Sequence, residues 1–177
     1  MKHTRWFSLA SAILLAGCLE SGDGSSSGTA GKESGCEFDG YRALMLERVN
    51  AARAEARDCG LERYPATQPL SYSCQLDEAA ARHSQDMATQ NFHSHTGSDG
   101  LQVLNRVTAT GYTWSAVGEN IAAGYSSVEA VMQGWLESPG HCRNIMSDQY
   151  REFAVSRVDV NDSDYSSYWT QVFGTQP

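Results

Sequence analysis

Tyr168-Trp169-Thr170-Gln171-Val172-Phe173 carries large side chains at odd and even positions alike. Side chains alternate between the two faces of a strand, so a strand of this composition has to be covered on both sides. Upstream, Phe153 and Val155 alternate, followed by Val158 and Val160. The polar run Asn161-Asp162-Ser163-Asp164 separates the two segments. A polar turn between two strand patterns predicts an antiparallel pair. The earlier chain has a different period. Tyr41, Met45, Val49, Ala52 and Ala56 recur at helical spacing, with Asp39 placed as N-cap. Leu76, Ala80, His83 and Met87 form a second helical stripe. Val128, Met132, Trp135 and Leu136 form a third, opened by a capping box of Ser126 and Glu129. Helices gather early and strands late, which predicts an α+β fold with helices packed on an antiparallel sheet.

Between these elements the chain is punctuated by turn formers. Gly60 ends the first helical region, and Pro65 and Pro69 mark an irregular loop. A loop bearing His and Gly runs from Asn91 to Gly100. Asp99 is placed to cap a short helix with Leu101, Leu104 and Val107, ended by Gly111. A turn-rich stretch leads to Gly118-Glu119-Asn120 and Gly124, and Pro139-Gly140 stops the third helix.

The first residues do not belong to this pattern. Lys2 and Arg5 precede an apolar run from Trp6 to Gly17, the arrangement of a secretory signal. Leu15-Ala16-Gly17-Cys18 resembles a bacterial lipobox. That resemblance implies cleavage before Cys18 and a lipid on its thiol, and several acyl chains hold a protein stably to a membrane. Leu19 follows where an Asp would resemble an inner-membrane retention signal, so the expected address is the outer membrane of a Gram-negative bacterium. Residues 19–35, LESGDGSSSGTAGKESG, have almost nothing to bury and read as a flexible tether. The expected organisation is a signal over 1–17, lipidated Cys18 and tether over 18–35, and a folded domain over 36–177. The net charge of −8 argues against nucleic acid as partner, because phosphate binding needs a basic face.

Setting Cys18 aside leaves Cys36, Cys59, Cys74 and Cys142. An even number in an exported domain predicts two disulfides, with three connectivities open. Cys59 and Cys74 bracket a loop between two helical patterns, which favours Cys59–Cys74 and, with it, Cys36–Cys142. Zinc ligation by these cysteines is disfavoured because no Cys-x-x-Cys pair exists.

Several segments together resemble one family. They are Asn91-Phe92-His93-Ser94-His95-Thr96, Gly118-Glu119-Asn120-Ile121-Ala122, Trp135-Leu136-Glu137-Ser138-Pro139-Gly140-His141, Asn144-Ile145-Met146 and Tyr168-Trp169-Thr170-Gln171. In order and spacing this series is similar to the CAP superfamily (cysteine-rich secretory proteins, antigen 5 and pathogenesis-related proteins), in its bacterial SCP-like branch. The resemblance covers about residues 41–174. It implies an α-β-α sandwich with a central antiparallel sheet, and a shallow cavity lined by two His and two Glu. The motif positions carry over as His95 and Glu119. The bacterial branch supplies His141 from Ser-Pro-Gly-His. The second Glu of animal and plant members falls where this chain has Ser138, and the adjacent Glu137 stands as the fourth candidate.

Two imidazoles and a carboxylate suit a divalent metal such as zinc with an open position, so His95, His141 and Glu119 are candidate ligands. Three functions follow: a binding module for a small hydrophobic or envelope-derived ligand, a metal-assisted hydrolase of peptides or envelope polymers, and a protein–protein interaction module in the envelope. His83 lies on an apolar stripe and reads as a packed, hydrogen-bonded histidine. His93 reads as loop packing. Tyr112, Trp114 and Tyr125 flank the Gly-Glu-Asn segment and offer an apolar wall for a lipid or sugar. Arg106 and Arg143 read as partly exposed ion-pairing residues.

Overall fold

In the computed structural model of the chain the described residues are Cys36, Phe38 and 40–177, within a compact unit spanning Lys32–Pro177. The expected signal, the expected lipidated Cys18 and tether, and the expected Asp39 cap lie outside the described residues. The strand that has to be covered on both faces is β6 (Ser167–Thr175), buried from Ser167 through Gly174. It runs antiparallel between β5 (Glu152–Asp159) and β4 (Ala116–Ala123), with Val155 opposite Gln171 and Glu119 opposite Val172. The expected antiparallel pair is thus β5 and β6. A two-residue strand, β3 (Ser71–Tyr72), joins β5 in parallel, so the sheet is mixed, in the order β3-β5-β6-β4.

Helices cover both faces. On one side α1 (Gly40–Arg53), α4 (Val128–Glu137) and α5 (Pro139–Met146) pack on Phe153, Val155, Trp169 and Phe173. On the other, α2 (Cys74–Gln90) and α3 (Val103–Ala109) pack on Ala154 and Val172, and α2 on Ile121 and Tyr168. This is the α-β-α sandwich. Each large apolar side chain of β6 removed from water contributes about 1.5–3 kcal/mol, which is why the double-sided strand sits at the centre.

Local boundaries differ from the sequence expectation where a longer-range contact decides. Gly118-Glu119-Asn120, which the sequence pattern assigns to no helix or strand, is part of β4, because its pairing partner comes from β6, far away in sequence. α1 ends at Arg53, leaving Ala56 exposed. The cap of α4 is Ser127, whose Oγ accepts from Ala130 N at 3.2 Å, one residue later than expected. Pro139 ends α4 and also begins α5, since its fixed φ and missing N–H suit the first helical position. Gln102, not Asp99, precedes α3; Asp99 instead accepts from Leu101 N at 2.9 Å in the preceding turn.

Arg53 ties three of these pieces together. Its side chain is fully buried and donates to Gln68 O at 2.8 Å, Ile145 O at 2.7 Å and Ser147 O at 2.8 Å. Two of those carbonyls lie at the C-terminus of α5, where a cation is favoured by the helix dipole.

The disulfides are Cys36–Cys74 and Cys59–Cys142, both with Cα atoms 5.4 Å apart, and not the pairing the loop argument favoured. The reason is a hairpin, β1 (Arg57–Cys59) with β2 (Glu62–Tyr64), inside the stretch expected to be irregular. It lays Cys59 against α5, so closely that a Cβ on Gly60 would come within 3.0 Å of the Pro139 ring. Cys74 opens α2 on the opposite face of the sheet. There Phe38 packs on Tyr72 with the rings tilted and their centroids 4.5 Å apart, which brings Cys36 alongside. Peptide mapping without reduction is expected to recover these two pairs. Replacing Cys59 and Cys142 by Ser, which opens an 83-residue separation, should lower unfolding stability by about 4 kcal/mol in a denaturant titration.

Candidate functional site

Successive residues of a strand face opposite ways, and β4 uses that to serve two layers. Gly118 lets Tyr150 press against the strand: a Cβ there would run into the Tyr150 hydroxyl. Glu119 turns to the α2/α3 side. Its side chain is 2% exposed, and its carboxylate is held by two partners. Oε2 accepts from Arg106 Nη2 at 2.6 Å, and Oε1 accepts from His95 Nδ1 at 2.8 Å. His83 Nε2 stands 4.0 Å from the same Oε1 and donates to Ser94 O at 2.9 Å. A buried carboxylate without its cation would cost several kcal/mol, and removing one partner of such a pair typically costs about 3–5 kcal/mol. Arg106, itself buried, also donates to Leu101 O at 2.9 Å and His95 O at 3.2 Å.

These bonds hold the loop that carries His93 and His95. The loop leaves α2 through Asn91 in the left-handed region, at φ 51°, a conformation Asn tolerates better than most residues. Asp86 then takes Ser98 N at 2.8 Å and Ser98 Oγ at 2.6 Å. His95 is exposed but oriented: the carboxylate fixes its proton on Nδ1 and leaves Nε2 facing away.

Asn120 turns to the other layer. Its Nδ2 donates to His141 O at 3.2 Å and Gln171 Oε1 at 3.1 Å. Asn144 Nδ2 donates to Asn120 Oδ1 at 2.8 Å and Glu119 O at 3.0 Å. Trp135 Nε1 donates to Ile121 O at 3.2 Å. β4 is an edge strand, and these side chains satisfy the outward carbonyls of an edge that would otherwise be free to pair with another chain. They also fix α5, and with it His141, beside the strand.

Across this covered edge lies a cleft of about 310 Å³. Ile121, Ala122, Ala123 and Trp135 supply its apolar surface, and His93, Tyr125, Ser138, His141 and Tyr165 its polar groups. Gly134 is required here, since a Cβ would strike the Tyr125 hydroxyl. Burial lowers the pKa of His141, and nearby His95 and His93 lower it further. Burial does the same to His93, with His95 again contributing. The three imidazoles are therefore neighbours, and protonation of His93 and His141 is disfavoured.

Of the sequence candidates, His95 and Glu119 are in direct contact, and His141 flanks the cleft beside them. Glu137 is elsewhere: it is exposed, accepts from Gln133 Nε2 at 2.8 Å, and lines a surface groove between α1 and α4. Arg106 is a buried ion-pair partner, not a partly exposed one, while Arg143 is exposed. His93 lines the cleft. Of the three aromatics flanking Gly-Glu-Asn, only Tyr125 does so. Tyr112 is buried with its hydroxyl on Glu152, and Trp114 Nε1 donates to Thr108 Oγ1 at 3.0 Å on the surface. His83 is packed and hydrogen-bonded as expected, but its closeness to Glu119 and the part Tyr165 plays in the cleft are not visible in the sequence. His83 sits on a helix stripe that reads as ordinary core, and Tyr165 in a polar turn.

Both Glu119 oxygens are engaged, so it backs His95 instead of offering a free donor, and the imidazoles of His95 and His141 are the donors left. Among the described residues no group of three or more His, Cys, Asp or Glu is arranged to hold a metal ion. Two imidazoles do not complete the three protein ligands of a mononuclear zinc site.

The cysteine-rich secretory protein family model, CAP, matches residues 46–173, which takes in the sheet, the loop and all these site residues. The chain belongs to the CAP family. It is 29% identical over 133 residues to the uncharacterized protein YkwD of Bacillus subtilis (strain 168), covering 75% of this chain and 46% of that one. It is 32% identical over 129 residues to the uncharacterized membrane protein YlbC of the same strain, covering 73% and 33%. The CAP chain thus spans less than half the length of these curated relatives. Among solved structures, an extracellular protein containing an SCP domain from Bacillus anthracis str. Ames matches with a TM-score of 0.55 and 31% identity, covering 62% of this chain and 35% of that one. An outer surface protein of Borrelia burgdorferi matches with a TM-score of 0.62 at 15% identity, over 76% and 92%, a likeness of fold alone.

In this CAP domain His83 joins site chemistry to stability. Burial is the main reason its pKa is lowered, outweighing the attraction of Glu119, while Arg106 adds to the lowering. A folded pKa below the unfolded value of about 6.5 means that the unfolded chain binds the proton first. The stability this confers is complete above about pH 6.5 and is lost as the pH falls through the folded value. Urea titrations from pH 8 to 5 should therefore show wild-type stability falling below about pH 6.5. The His83→Gln variant should be less stable at pH 8 and show a shallower fall.

Proposed function

We propose that this chain is an exported CAP-domain binding protein, anchored to the cell envelope through a lipid on Cys18, whose cleft at the β4 edge takes a small hydrophobic or envelope-derived ligand. The cleft itself carries the reading: an apolar floor fixed by the Trp135–Ile121 bond, with polar groups around it and neighbouring imidazoles that burial keeps neutral. Ligand sites commonly combine an apolar lining with a few placed polar groups. Export is supported by two disulfides, which belong to oxidising compartments, and by the likeness to an extracellular SCP-domain protein. The outer membrane of a Gram-negative bacterium is the address that Leu19 favours. No helix among the described residues is long and apolar enough to cross a membrane.

The full chain isolated from its native envelope in mild detergent is expected to carry a small molecule, released on denaturation and identified by mass spectrometry. Ala123→Phe, which fills the cleft from the strand side, should lose it while keeping the wild-type circular dichroism spectrum. Wild-type protein that carries nothing, and binds no fraction of an envelope extract, would sink the reading.

A divalent metal is the second reading, favoured by one observation: Glu119 holds the Nδ1 proton of His95 and so presents Nε2 as a donor. A carboxylate behind a ligating imidazole raises its basicity. His95 and His141 would supply two of the three protein ligands such a site needs, with the remaining positions left to water or substrate, and a metal so held would supply Lewis acidity for hydrolysis of a peptide or envelope polymer. Zinc calorimetry at pH 7.5 and 5.5 separates the cases. Binding near one ion per chain, weaker at pH 5.5 and absent in His95→Ala/His141→Ala, supports the metal. Heats indistinguishable from dilution with a folded chain reject it.

A further inference from the structure

The lining of the cleft also states what kind of ligand it is built for. No Asp, Glu, Lys or Arg contributes to it, so it offers no counter-charge to an anion or a cation. It is not an oily slot either. Tyr125, Tyr165 and Ser138, which carry hydroxyls, and His93 and His141, which carry imidazoles, all line a surface floored by Ile121 and Trp135. Ser138 sits where a helix cap would be expected, between α4 and α5, yet its side chain makes no capping bond. A purely hydrocarbon ligand would take these groups out of water without giving them partners. Each unmade bond costs about 1–3 kcal/mol, enough to cancel the gain from burying a few methylenes.

The aromatic groups add a second requirement. Tyr165 is 42% exposed, yet it is held in place, edge-on to Tyr168 with ring centroids 5.9 Å apart and 6.2 Å from the His93 ring. An exposed but positioned aromatic face suits a ligand that has a flat apolar face and polar edges. At about 310 Å³ the cleft is at the small end of ligand sites, which run from about 300 to 1,000 Å³. It has room for a compact ring system, not for a two-chain lipid.

A pyranose ring has this combination: axial and ring C–H bonds on one face, hydroxyls around the rim, and no charge. We propose that the cleft binds a neutral saccharide unit, its C–H face on Tyr165 and its hydroxyls exchanging hydrogen bonds with the Ser138 and Tyr125 hydroxyls and the imidazoles of His93 and His141. This rests on the cleft being the ligand site, as proposed above, and narrows that reading to one chemical class.

The test uses the full chain in detergent, with Trp fluorescence and saturation-transfer NMR as readouts. The probes are the neutral disaccharide N,N′-diacetylchitobiose and, in parallel, 1-decanol as an uncharged single-chain apolar ligand. Saturable disaccharide binding is expected, with transfer to the sugar ring C–H protons. It should weaken about five- to tenfold in Tyr165→Ala, the size of one lost aromatic contact, and should weaken measurably in Ser138→Ala. Tyr165 is exposed, so its truncation leaves the core intact, and a matching circular dichroism spectrum checks this. Saturable decanol binding that Tyr165→Ala weakens, with no disaccharide binding, would overturn the saccharide class and leave the cleft as a ligand site. Binding of neither probe, or disaccharide binding that Tyr165→Ala and Ala123→Phe do not change, would overturn the assignment of the cleft as well.

Discussion

One buried carboxylate organises this domain. Glu119 sits on an edge strand, almost fully out of water, and its charge is balanced by the equally buried Arg106. The pair could not be kept there by Coulomb attraction alone, because desolvating two ions costs as much as their attraction returns. What supports the arrangement is that both carboxylate oxygens and both terminal nitrogens of the guanidinium are used, while Arg106 Nε is buried without a partner among the described residues. His95 takes the second oxygen, and Arg106 also donates through Nη1 to Leu101 O and through Nη2 to His95 O. The same set of bonds that neutralises the charge therefore shapes the loop after α2 and aims its histidines.

The residue next to it does the corresponding work on the opposite face. Asn120 and Asn144 join β4, β6 and α5 through side-chain amides, and Trp135 closes over the next outward carbonyl. An edge strand is normally a hazard, open to pairing with other chains. Here the covering side chains come from helices that also wall the cleft, so protecting the edge and building a ligand site are one structural solution. Cys59–Cys142 braces α5 from behind, and Arg53 holds its C-terminus. The Ser138 and His141 end is consequently a rigid wall.

Much of this is legible in the sequence. The double-sided apolar run of β6 calls for covering layers, and helical periodicity places α1, α2 and α4 to within a few residues. The segments with His95, Glu119 and His141 point to the family and to a common site. The errors share a cause. β4 is rich in small residues and pairs with a strand some fifty residues away, so nothing local announces a strand. The β1–β2 hairpin is too short to show a period, and without it loop length alone gives the wrong disulfide pairing. Pro139 reads as a stop when it is also a start, because a proline's fixed φ suits both.

The sequence by itself determined the layer architecture, the cysteine inventory and the residue types of the site, because period, composition and motif order are local properties of the chain. Tertiary structure decided the rest. It made Arg106 a buried partner instead of a surface cation, brought His83 within reach of Glu119, left Glu137 outside, and put Tyr165 from a polar turn and Trp135 from a helix into the lining of one cleft. Those outcomes depend on which faces meet across a sheet, and burial and hydrogen-bond partnership exist only once they have met.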